Sequence, residues 1–225
     1  MNGQKKKHIR FILEYTASFA VLFLLIYLGF ILNHRSFIWF YDGNKQHFPA
    51  LLYLRDYYLK VAGNLFSGHF TLPMFDFSIG MGEDILTTLN FYGMGDPLTL
   101  LSVFVPKQHM EMFYDFLVAF RMYLAGLTFI FYCRNRGKGR AVSLAGAWLY
   151  VFSGYVLHVA VKHPFFISPM ILLPLMLTGG GPVSGEKKRR SVDRKCVFVC
   201  TQWILFFLYE QHLCVPVRID LGICR

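Results

Sequence analysis

Apolar residues along this chain gather in blocks, and the blocks are separated by short charged runs. Residues 15–32 form the first block, 18 positions without a charge. As a helix they rise about 27 Å, close to the thickness of a bilayer's hydrocarbon core. Lys5, Lys6, Lys7 and Arg10 precede them, in a basic N-terminal stretch over 1–14. A cleaved signal peptide begins the same way. This block, however, is long and ends in Phe30-Ile31-Leu32-Asn33, with no small-residue cleavage site, which predicts an uncleaved transmembrane helix. Residues 112–133 predict a second span, with Asp115 and Arg121 inside it. Residues 141–161 predict a third, uncharged and rich in small residues such as Ser143, Gly146 and Ala147, which let helices approach in lipid. The block at 165–177 holds Pro169 and Pro174 and is too short to cross as a straight helix, so it predicts a broken or re-entrant element. A weaker run covers 197–209.

Composition narrows the class. Hydrophobic residues are 55% and charged residues 16%, which excludes a disordered chain and argues against a soluble globule. The net charge of +10 is basic enough to suggest nucleic acid, but the placement of the charges argues otherwise. Arg134, Arg136, Lys138 and Arg140 fill the 134–140 loop, and Lys187, Lys188, Arg189, Arg190, Arg194 and Lys195 form another cluster after 177. The 33–111 loop carries five Lys/Arg against seven Asp/Glu. The clusters alternate along the chain as the positive-inside rule requires. The pattern therefore predicts an all-α, multi-pass protein of the cell membrane, with a cytoplasmic N-terminus, 33–111 outside, and no nucleic-acid partner.

The 33–111 loop is too apolar for a solvated linker. Residues 47–60 predict an amphipathic helix on the membrane surface, with Leu51, Leu54, Tyr58 and Val61 on one face. Three acidic sites stand beside glycines: Asp42, the Glu83-Asp84 pair and Asp96. Carboxylates at the outer surface can act as a general base toward a hydroxyl or as ligands of a hard divalent cation. Each also has a plain structural reading. Asp42 before Gly43 suits a turn, Asp84 suits the cap of a helix starting near Ile85, and Asp96 before Pro97 suits an N-cap with proline at the first helical position. Asp115 and Arg121 lie 240° apart around a helix and do not face each other. Asp115 is close enough to the end to snorkel, whereas Arg121 lies deeper, where charge in a membrane helix is often functional. Cys133 stands alone, and Cys196, Cys200, Cys214 and Cys224 have no spacing that forms a metal site.

The run YDGNKQHFPALLYLRDY, then FDFSIGMGED, then FYGMGDPLTLLSVFVP, resembles the N-terminal region of the YfhO family of bacterial membrane proteins. So do RMYLAGLTFIFYCR and LYVFSGYVLHVAVKHPFFISPMILLPLMLTG, and the resemblance runs from about residue 10 to Gly179. The family is similar to the GT-C glycosyltransferases. The resemblance implies a polyprenyl-phosphate-linked sugar as donor and a cell-envelope polymer of the teichoic-acid type as acceptor, on the outer face. It implies Asp42 as catalytic base or metal partner, with Asp84 as the second acidic candidate. Gln46, His47, Asp96, Arg121 and His163 complete the substrate-binding set, Arg121 as a partner of the lipid phosphate. No metal ligands are assigned, and a divalent cation remains the one possible cofactor. A transporter or flippase subunit and a non-catalytic membrane scaffold are the rival readings. The long acidic outer loop argues against the transporter.

Composition shifts after Gly179, where four of the five cysteines lie and the hydrophobic periodicity weakens. These shifts predict a divergent tail over 178–225, from a frameshift or gene-fragment boundary or as a genuine short variant. The chain alone, without further helices, is expected to be inactive.

Overall fold

The computed structural model describes residues 2–179 apart from 69 and 70. The tail after Gly179, with four of the cysteines and the 197–209 run, lies outside the described residues.

The basic start and most of the first apolar block share one helix. Helix α1 spans Asn2–Ile26, and its charged first half carries an i,i+4 ion pair between Arg10 and Glu14 at 3.1 Å. The apolar block at 15–32 is shared between α1 and a short α2, Leu28–Leu32, with a break at Tyr27. His34, at φ 49°, then turns the chain away. After the 33–111 segment comes α6, Met110–Asn135. Next come α7, Arg140–Val151, and α8, Gly154–Lys162, and finally α9, Ser168–Gly179, with Pro174 inside it. The intervening segment holds α3, Phe48–Phe66; the two-residue strands β1, Phe75–Asp76, and β2, Glu83–Asp84; α4, Ile85–Asn90; and α5, Pro97–Leu100. β1 and β2 pair antiparallel and are the only strands among the described residues, so the fold is all-α.

Among the described residues two helices, Lys6–Ile26 and Lys107–Asn135, are long and apolar enough to cross a membrane. The block at 141–161 is not a straight rod. α7 and α8 meet at 50°, and the break falls at Phe152-Ser153 ahead of Gly154. A Ser-Gly pair gives the backbone freedom to leave the helix there.

α6 is the central pillar, with α7 and α9 packed along it. On α7 the small residues Ser143 and Ala147 line up with Val151 as a buried stripe. Close approach is built in elsewhere as well: a Cβ at Gly146 would stand 2.9 Å from the Phe129 ring. At Gly126 a Cβ would collide with the Tyr15 hydroxyl, which instead donates to the Tyr123 carbonyl at 2.9 Å and anchors α1 to α6. A second, smaller core lies under α3, where Ala50, Leu54 and Tyr57 meet Ile85 and Leu89 of α4.

Basic residues from the N-terminus and from the α6–α7 loop meet at one end of the molecule. Arg140 Nη2 bonds Glu14 at 2.8 Å, and Arg140 and Arg134 lie 5.0 and 6.0 Å from the centre of the Phe11 ring.

Candidate functional site

Asp42 sits where the chain enters α3 through an unusual turn. Gly43–His47 is a π-helical turn, wider by one residue than an α turn. Asn44 N–H reaches the Trp39 carbonyl at 2.8 Å. Gly43 makes this possible, because a Cβ there would come within 3.2 Å of the Ile38 carbonyl carbon and of Trp39 Cβ. π-turns are rare and recur at functional sites. Here the wider turn presents Asp42, Gln46 and His47 together.

Asp42 is half-buried and makes no capping bond to the turn that it precedes. Its Oδ1 accepts only a long bond from Gln46 Nε2, 3.4 Å, and Gln46 Oε1 in turn accepts from the Tyr92 hydroxyl at 2.9 Å. His47, 3% exposed, meets His163 in a ring-to-ring hydrogen bond of 2.9 Å between Nε2 and Nδ1. One ring donates and the other accepts, so at least one of them is neutral. Burial, and then the neighbouring His163, push the His47 imidazole down to about 4, with Asp42 pulling the other way. Burial lowers His163 also, against the same pull from Asp42. The Asp42 charge thus acts on both rings. Tyr92, Phe165 and Trp39 pack around the pair, and Lys162 holds its ammonium 4.6 Å from the centre of the Trp39 ring.

Asp96 and Arg121 form a second, separate cluster. Arg121 Nη2 bonds Asp96 Oδ2 at 2.7 Å and Thr99 Oγ1 at 3.3 Å, and Ser168 Oγ also reaches Asp96 at 3.3 Å. Both members of the ion pair are buried. Asp96 spends its other oxygen on the Leu98 N–H at 2.9 Å, capping α5 with Pro97 in the first turn. Arg121 is therefore committed to a carboxylate, and its charge is balanced where it stands. Asp115, facing elsewhere on α6, accepts from the Phe37 N–H at 2.7 Å.

Asp84 belongs to neither cluster. It caps α4, with Oδ1 accepting from Thr87 N at 2.8 Å, and Glu83 accepts from Thr88 Oγ1 at 2.7 Å. Of the residues singled out in the sequence, Asp42, Gln46, His47 and His163 come together, and so do Asp96 and Arg121. Tyr92, Trp39 and Lys162 join the first group and Thr99 and Ser168 the second. No local pattern marks them, since tertiary packing alone brings them there. Cys133 is a buried free thiol on α6. Among the described residues no three His, Cys, Asp or Glu side chains converge as a metal-binding group.

No curated protein and no solved structure matches the chain. The family described as Bacterial membrane protein YfhO matches residues 15–189, ten residues past Gly179 and most of the chain. An all-α membrane architecture and a family match of that extent agree, and the chain belongs to the YfhO family.

Proposed function

We propose that this chain carries the acidic outer segment of a GT-C-type glycosyltransferase of the YfhO family. With the further helices that the reaction needs, such an enzyme moves a sugar from a polyprenyl-phosphate donor to a cell-envelope polymer of the teichoic-acid kind, at the outer face of the cell membrane. The carrying observation is the state of Asp42. Asp84 and Asp96 spend an oxygen on capping a helix, and Asp42 does not. Its carboxylate stays half-exposed beside Gln46, His47 and His163.

In this reading the acceptor hydroxyl gives its proton to Asp42 as its oxygen attacks the anomeric carbon. The bond from that carbon to the phosphate oxygen breaks, and polyprenyl phosphate leaves as an anion. A positive charge is needed near that phosphate. Lys162, over Trp39 and beside His163, is the better choice, because Arg121 is already paired with Asp96. Gln46, bridged to Tyr92, orients Asp42 or a sugar hydroxyl. The orientation follows from charge: the basic N-terminus and the 134–140 loop meet at one end, which the positive-inside rule makes cytoplasmic, so 33–111 faces outward.

The test is sugar incorporation into the envelope polymer in cells carrying the gene with Asp42→Asn, whose shape is kept and whose basicity is lost. Transfer should fall by about a thousandfold, within the range for loss of a general base. Transfer at the wild-type rate in well-expressed Asp42→Asn overturns the assignment.

A further inference from the structure

The end of the molecule opposite Asp42 carries a cavity that the transfer reaction does not use. It measures about 250 Å³ and is lined by Lys7, His8, Phe11, Arg134 and Arg140. Three elements build it: α1 supplies Lys7, His8 and Phe11, the last turn of α6 supplies Arg134, and the first residue of α7 supplies Arg140. Among the described residues, every lining side chain except Phe11 is cationic or can become so, and no carboxylate lines it. The nearest acid in the network, Glu14, is taken up by Arg10 and Arg140. Phe11 is buried and forms an apolar floor that spaces the two guanidiniums, each in cation–π contact with its ring. Like charges held around one concavity repel each other unless an anion sits between them.

We propose that this cavity binds the phosphate headgroup of an anionic phospholipid from the inner leaflet. A phosphate diester suits the excess of positive charge: Lys7, Arg134 and Arg140 outnumber Glu14 by two, and the single negative charge of a diester offsets half of that. The surroundings decide between a lipid and a free phosphate ion. Ile9, Ile12 and Leu13 of α1, within two turns of Lys7, are 59%, 47% and 62% exposed, and Val142 beside Arg140 is 59% exposed. This apolar wall next to a cationic cavity fits an amphiphile with acyl chains, whereas an inorganic anion would leave it bare. The inference is independent of the glycosyl-transfer reading, since it uses none of the residues around Asp42.

The experiment takes the full chain in nanodiscs of phosphatidylcholine with and without phosphatidylglycerol. Lipid retained after delipidation is counted by native mass spectrometry. Phosphatidylglycerol should be retained over phosphatidylcholine, and retention should fall with rising salt. Lys7→Gln and Arg134→Gln should each weaken it by about fivefold, one surface charge apiece. Lys107→Gln removes the same charge near the other end of α6 and should leave retention unchanged. Three results overturn the proposal: equal retention of the two lipids, an equal loss in Lys107→Gln, and full competition by millimolar inorganic phosphate, which would assign the cavity to a free anion.

Discussion

His47 and His163, 116 positions apart in the chain, share one hydrogen bond of 2.9 Å. That bond ties the π-turn after Asp42 to the short connection between α8 and α9. It joins the 33–111 segment to the last part of the bundle, at the spot where the Asp42 charge acts on both rings. The pair is both a clasp and part of the site.

The clasp is sensitive to acid. His47 titrates near 4 in the folded chain, against an ordinary value of 6.5. The unfolded chain therefore binds more protons between those values, and stability rises with pH across that window. Acidification from above 6.5 to below 4 should lower stability by on the order of 3 kcal/mol, the loss from this group levelling off about one pH unit below 4. Melting of wild type and His47→Gln from pH 7.5 to 4.5 checks this. The variant should show the shallower slope, and equal slopes would remove His47 as the cause.

Arg121 should behave as half of a buried pair. Arg121→Met leaves Asp96 charged and buried, at a cost of about 3–5 kcal/mol. Adding Asp96→Asn should restore part of that, because the amide oxygen can still cap α5. Unfolding of the single and double variants separates the effects, and limited proteolysis of 33–111 should show the segment loosened in the single variant. A single variant as stable as wild type would free Arg121 for a different role.

Gly43 should tolerate no side chain. Gly43→Ala puts a methyl 3.2 Å from the Ile38 carbonyl carbon and from Trp39 Cβ. Relieving that overlap should cost about 1–3 kcal/mol. Because it moves Asp42 and His47 together, transfer should fall more steeply than stability. Parallel melting and transfer assays test the two expectations, and a variant with wild-type values of both would mean that the turn has room to adjust.

Asp84 is a helix cap, and its substitutions should rank accordingly. Asp84→Ala should cost about 1 kcal/mol, whereas Asp84→Asn, still able to accept from Thr87, should cost only a few tenths. Thermal melts rank the two. If asparagine proves as harmful as alanine, the charge matters, and Asp84 returns as a functional acid.

Hydrophobic blocks and their basic borders carry the membrane class and the all-α fold, because burial in lipid and charge at its edges are written residue by residue, whereas the family is carried by the motif runs from YDGNKQH onward. Caps are equally local: Asp96-Pro97 and Asp84-Ile85 hold their meaning within four positions, and both are caps in the structure. The break within 141–161 is harder to read. Ser153-Gly154 permits a bend, but the 50° that results depends on how α7 and α8 pack beside α6. The sequence marks Asp42, His47 and His163 as candidates beside its apolar blocks. Packing of the helices is what makes the two imidazoles meet, pairs Arg121 with Asp96, and brings Arg134 and Arg140 over Phe11. These partners lie tens to more than a hundred residues apart. Hydrogen bonds and ion pairs act over a few ångströms, so only packing can select them.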